Sequence, residues 1–153
     1  MKAKIVATKE IISTHGGNLL IGGLLARTTL SERLNILSNG VIPTAGGIST
    51  GDVVRSYVGL LCQAQPEFEA VEQFRKDPYF AASLGLKHVP SCSTLRQRLD
   101  ALGKNCQEQT VAIVLGEGCE LLRTLHTQIT PCHANYAALD IDVATRAPKR
   151  IGR

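Results

Sequence analysis

The chain has 153 residues, room for one domain of ordinary size with a real core. Apolar residues make up 44%, which excludes a disordered chain; aromatics make up only 4%, which argues against a stacking platform for single-stranded nucleic acid. The formal net charge of +4 permits a polyanionic partner without demanding one.

Lys2 and Lys4 precede an apolar run, Leu19–Ile21 and Leu24–Ala26, that Gly22 and Gly23 interrupt. The run falls far short of the roughly 20 residues a bilayer needs, and Lys9, Glu10 and His15 spoil an export signal. Leu19, Leu20, Leu24, Leu30, Leu34 and Leu37 recur at helical spacing, so 18–37 reads as helix, with a break allowed near Thr28–Ser31. Residues 38–51, with Asn39, Gly40, Pro43, Gly46 and Gly47, have loop composition, and their glycines form no phosphate-binding pattern.

A largely buried, central helix is predicted over 50–64, capped by Ser49 or Thr50 with Asp52 in its first turn. After Pro66, Glu67–Lys76 reads as an amphipathic helix on the stripe Phe68, Val71 and Phe74. Asp77-Pro78 ends it, and Tyr79–Leu84 forms a short helical turn. The next helix, 91–102, carries Leu95, Leu99 and Leu102 at i, i+4, i+7 as its buried face. Ser91 or Ser93 is its cap candidate, and Arg98 flanks the apolar stripe. Ser93, Arg96 and Gln97 point away from the leucines. A helix with hydroxyls, an amide and arginines at its start, following a short helix, has the character of a helix-turn-helix recognition element. Ser93, Thr94, Arg96, Gln97 and Arg98 are therefore the candidate DNA contacts.

Gly103 is expected to separate this helix from a longer one over 105–127, with Val111, Val114, Leu115, Leu121, Leu122 and Leu125 as apolar positions. Gly116 and Gly118 each cost about 1 kcal/mol there, enough to bend or split it. Beyond Pro131 the period changes. Leu139, Ile141 and Val143 alternate with Asp140 and Asp142, the signature of a strand over Tyr136–Val143 with two carboxylates on one face. Five cysteines at wide spacings include no C-x-x-C pair, so neither a zinc ribbon nor a redox motif is indicated, and reduced thiols are expected. His133 beside Cys132 has no second pair at ligand spacing, and His126 and His133 read as ordinary surface or capping histidines.

Several segments together resemble bacterial insertion-sequence transposases of the DDE type. They are Tyr57–Val71, Phe74–Pro78, Leu84–Leu86, Val89–Ser91 with Ser93–Asp100, and Leu139–Val143. The resemblance spans about 17–143, and its central block matches in order over more than ten residues. It implies a helical DNA-binding region followed by a ribonuclease-H-like catalytic domain in which three carboxylates hold Mg²⁺. Asp142 corresponds best to the first of these carboxylates and would be the metal ligand, with Asp140 as the alternative. Where the family continues with Thr-Pro and an Asp-Asn-Ser stretch, this sequence reads Ala144-Thr145-Arg146-Ala147-Pro148 and then a basic tail.

The expected fold is thus mainly α. A helical bundle with a helix-turn-helix-like element covers 1–134, and 135–153 carries the first strand of an incomplete ribonuclease-H-like domain. The expected function is that of an N-terminal transposase fragment that binds double-stranded transposon-end DNA through the 91–102 helix and is inactive in strand transfer by itself. A stand-alone DNA-binding regulatory module and a non-functional helical assembly protein are the alternatives. Self-association, or association with a full-length transposase, is expected in the bacterial cytoplasm at the nucleoid, with no membrane partner.

Overall fold

A computed structural model describes residues 16–43 and 47–125. They fold into helices: α1 (Gly17–Leu25), α2 (Leu30–Ser38), α3 (Thr50–Cys62), a 3₁₀ helix (Phe68–Phe74), α4 (Pro78–Ser83), α5 (Cys92–Asn105) and α6 (Gln107–Thr124). The chain is therefore mainly α, with no strand among the described residues. The strand expected over Tyr136–Val143, with Asp140 and Asp142, lies outside the described residues, as do the 134/135 domain boundary, His126, Cys132 and His133.

Helix starts follow local chemistry. Ser49 Oγ accepts from Asp52 N at 3.0 Å and caps α3. Asp77 Oδ1 accepts from Tyr79 N at 2.8 Å, with Pro78 in the first turn of α4. Ser91 Oγ accepts from Thr94 N at 3.2 Å and caps α5. At the far end of α4, Gly85 adopts φ +63, which suits a residue without Cβ, and lets Leu86 N donate to Ala81 O at 2.9 Å.

Helix α3 is central. It packs against α1, α2, α5 and the 3₁₀ helix. The main core joins Val53 and Leu60 of α3 to Val71, Phe74, Phe80, Leu84, Leu86 and Leu95. Phe74 and Phe80 stack with centroids 4.4 Å apart. A second, smaller core joins Leu30 and Leu34 of α2 to Ile113 of α6. Gly22 is where α1 meets the end of α4: a Cβ there would overlap the backbone carbonyl of Ser83. The approach of the two elements depends on that missing methyl.

Residues 18–37 form two helices, broken over 26–29, which overlaps the Thr28–Ser31 stretch where a break was allowed. Three expectations change. The 67–76 segment is a 3₁₀ helix over Phe68–Phe74, in which Phe68, Val71 and Phe74 fall on one face at the three-residue period of a 3₁₀ turn. Gly103 does not end α5. The helix runs to Asn105 and stops at Cys106, which is buried with φ −140. Likewise α6 continues through Gly116 and Gly118, since a cost of about 1 kcal/mol per glycine is within what packing offsets.

On α6 the buried face is not the one richest in apolar residues. Val111, Val114, Leu115, Leu122 and Leu125 are exposed, while Ile113 and Glu117 are the buried positions. Glu117 makes this possible. Its Oε2 accepts from Thr29 N at 2.9 Å, and its Oε1 accepts from Thr29 Oγ1 at 2.6 Å and Arg33 Nη1 at 3.1 Å. It thereby satisfies donors at the start of α2 that no neighbouring side chain caps. The Thr29 hydroxyl first, then Arg33 and the Thr29 N–H, hold its carboxyl below the usual carboxylate range.

Candidate nucleic-acid interface

The outward side of α5 is built on Leu95 and Leu102, which are buried and fix the helix against the core. Its partners are the 3₁₀ helix, α3 and α6. The connection from α4 spans 84–91, longer than the three or four residues of a helix-turn-helix turn. The α4–α5 pair is therefore not a compact helix-turn-helix, because the buried Leu84, Leu86 and Pro90 draw the connection into the core. Instead α5 is presented as a single helix across the 3₁₀ helix.

The predicted contact residues fall into three groups. Ser93 and Thr94 belong to the cap. Ser91 Oγ lies 3.0 Å from Ser93 Oγ and 2.9 Å from Thr94 Oγ1, so the three hydroxyls form one cluster at the helix start. Ser93 is exposed and Thr94 half-buried. Arg96 and Gln97 are exposed, and Gln97 has no hydrogen bond from its side chain to a described residue. Arg96 Nη2 donates to Glu69 Oε1 at 2.6 Å, and its guanidinium lies over the Phe68 ring at 5.6 Å. Both partners of this ion pair are more than half exposed, so it is worth little and Arg96 can leave it for another acceptor. The Glu69 carboxyl sits below the usual range, held by its own backbone N–H and by Arg96.

Arg98 stands apart. It is 5% exposed, and its guanidinium donates to Pro43 O at 2.7 Å and to Thr50 Oγ1. Thr50 Oγ1 in turn lies 2.7 Å from Ser38 Oγ. Arg98 therefore ties α5 to the 38–50 connection rather than facing solvent. Burial lowers its proton affinity, in line with a cation held inside the fold. No family model, curated protein or solved structure matches the chain.

A shallow cleft of about 250 Å³ beside this face is lined by Ile42, Pro43, Thr94, Gln97, Arg98 and Ala101. Thr94 and Gln97 share this lining with the apolar Ile42, Pro43 and Ala101. The Mg²⁺ ligands that the resemblance implies, Asp142 or Asp140, lie outside the described residues. Among the described residues, no three His, Cys, Asp or Glu side chains converge to hold an ion. No helix among them is long and apolar enough to cross a membrane.

Reading the sequence alone misses Glu117 and Thr50. The only signal for Glu117 is its spacing from Ile113 at i+4, on a face that also holds Thr110 and Leu121. For Thr50 no sequence signal distinguishes the buried hydroxyl from a simple helix cap.

Proposed function

We propose that this chain is part of an insertion-sequence transposase of the DDE type, and that its helical unit binds transposon-end duplex DNA through the outward face of α5. The observation that carries the reading is the single presented helix with Ser93, Arg96 and Gln97 side by side at i, i+3, i+4, above a core that fixes its direction. An α-helix fits the major groove, where an arginine pairs with guanine and a glutamine with adenine. The resemblance adds weight because its described segments are not scattered. Leu60, Val71, Phe74, Leu84, Leu86 and Leu95, drawn from its separate segments, form one core with Val53 and Phe80. Catalysis by Asp142 with Mg²⁺ belongs to the same reading and rests on the resemblance alone.

The test is fluorescence anisotropy with a terminal-repeat duplex and a scrambled duplex of equal length. The expected result is preference for the repeat, lost in Arg96→Ala/Gln97→Ala, at about 1–3 kcal/mol for each bidentate contact removed. Equal affinity of the unmutated chain for both duplexes refutes sequence reading by α5.

A second reading, a helical assembly protein without a nucleic-acid role, is favoured by one observation. Val111, Val114, Leu115 and Leu122 of α6, with Leu125 just after it, are large apolar side chains exposed to solvent. Concentration-dependent sedimentation without any DNA binding would select it.

A further inference from the structure

Beside the N-terminal end of α5 lies an open groove of about 560 Å³. Two stretches separated by α4 supply its walls: Arg75 and Lys76 after the 3₁₀ helix, and Lys87 and His88 before α5. Two acids, Glu72 and Asp77, also line it.

The acids are already engaged. Glu72 Oε1 accepts from Cys92 N at 2.7 Å and its Oε2 from Arg75 Nη1 at 3.1 Å, while Asp77 Oδ1 accepts from Tyr79 N at 2.8 Å. Lys76, Lys87 and His88 are exposed, and their side chains make no hydrogen bond or ion pair with a described residue. Each acid in the groove thus already accepts from the fold, while Lys76, Lys87 and His88 donate to no described residue. That balance favours an anion with several acceptor oxygens, spread over more space than one carboxylate fills. A backbone phosphate meets that description.

We infer that this groove grips the phosphodiester backbone beside the base pairs that α5 meets. Lys76 and Lys87 act as point charges, and His88 and Arg75 act as N–H donors to phosphate oxygens. The inference rests on the reading that α5 enters duplex DNA. Glu72 links the two surfaces directly: the same carboxylate that pairs with Arg75 in the groove accepts from the first residue of α5. A strand seated in the groove therefore sets the register of α5 without itself reading sequence.

The experiment uses the full chain, the two labelled duplexes and a salt series from 50 to 200 mM. Each phosphate contact contributes about 0.9 to the slope of log affinity against log salt. Lys76→Gln/Lys87→Gln should weaken binding to both duplexes alike and flatten the slope by about 1.8. Over that fourfold salt range, the affinity of the unmutated chain should fall roughly tenfold more than the variant's. Gln97→Ala, which removes no charge, should change the preference between duplexes and leave the slope intact. An unchanged slope in the double lysine variant overturns the groove while sparing the α5 reading. If the unmutated chain binds neither duplex, the α5 reading falls, and titration with inorganic phosphate and pyrophosphate judges the groove by NMR. Saturable shifts at Lys87 and His88, lost in the lysine variant and reduced in His88→Gln, keep it as an oxyanion site. Flat titrations overturn it.

Discussion

Replacing Glu117 with alanine should destabilise the fold out of proportion to the size of the side chain. Glu117 is 9% exposed, and its carboxylate receives three hydrogen bonds, two from Thr29 and one from Arg33. The Arg33 contribution is small, since that side chain is 48% exposed. The two Thr29 bonds carry more, at about 1.5 kcal/mol each for bonds to a charged group, and water restores part of what is lost because Thr29 is an exposed residue. The expected loss is about 2–3 kcal/mol, a fall of roughly 1–2 M in the urea midpoint. Glu117→Gln, which keeps the shape and removes the charge, should cost less. The sign of the pH dependence follows from the depressed carboxyl. With its folded-state proton affinity below the ordinary value of 4.5, Glu117 contributes fully above that pH, and the contribution disappears as pH falls through the folded value. The gap between the unmutated chain and Glu117→Gln should therefore be constant near neutrality and close in acid. A Glu117→Ala chain with an unaltered midpoint would refute the claim that α6 caps α2.

Gly22→Ala should cost about 1–3 kcal/mol in thermal melts because its methyl meets the Ser83 backbone, whereas Gly118→Ala, with open space around it, should gain about 1 kcal/mol. Equal effects would contradict the close approach of α1 to α4. Arg98→Met removes a buried guanidinium from Pro43 O and Thr50 Oγ1, and should lower stability by about 2–4 kcal/mol while leaving the preference between duplexes unchanged in the folded fraction. A lost preference at full stability would return Arg98 to the DNA face. Leu115→Gln/Leu122→Gln alters two exposed apolar side chains, so stability should stay within about 0.5 kcal/mol while concentration-dependent sedimentation of the chain is reduced. Identical sedimentation in both chains would show that these α6 side chains make no intermolecular contact.

Local signals in this sequence are legible where neighbours along the chain decide the outcome. Ser49, Asp77-Pro78 and Ser91 mark helix starts because a side-chain oxygen needs only a backbone N–H two or three residues away. The leucines of α5 mark its buried side for the same reason. Legibility fails where a distant residue decides. The apolar face of α6 is the obvious candidate for the core, yet Glu117 turns that face outward because its partners stand on α2. Arg98 reads as a surface arginine at the edge of a stripe, and only the proximity of Pro43 and Thr50 draws it inside. The 3₁₀ helix is a subtler case, since a three-residue stripe over seven residues fits both helix types until its packing against Tyr57 and Arg96 is known.

The contact between Thr29 and Glu117 joins residues 88 positions apart, and that separation has a consequence for a chain made from its N-terminus. At about 5–20 residues per second, the ribosome adds Glu117 roughly 4–18 s after Thr29. During that interval the start of α2 has no carboxylate to receive its amide and hydroxyl, although most of the main core, from Val53 to Leu95, can already assemble. Nascent chains arrested before residue 117 should therefore hold the α3-centred core while α2 remains open to protease. Release of α6 then fastens the start of α2 with a residue added 88 positions later.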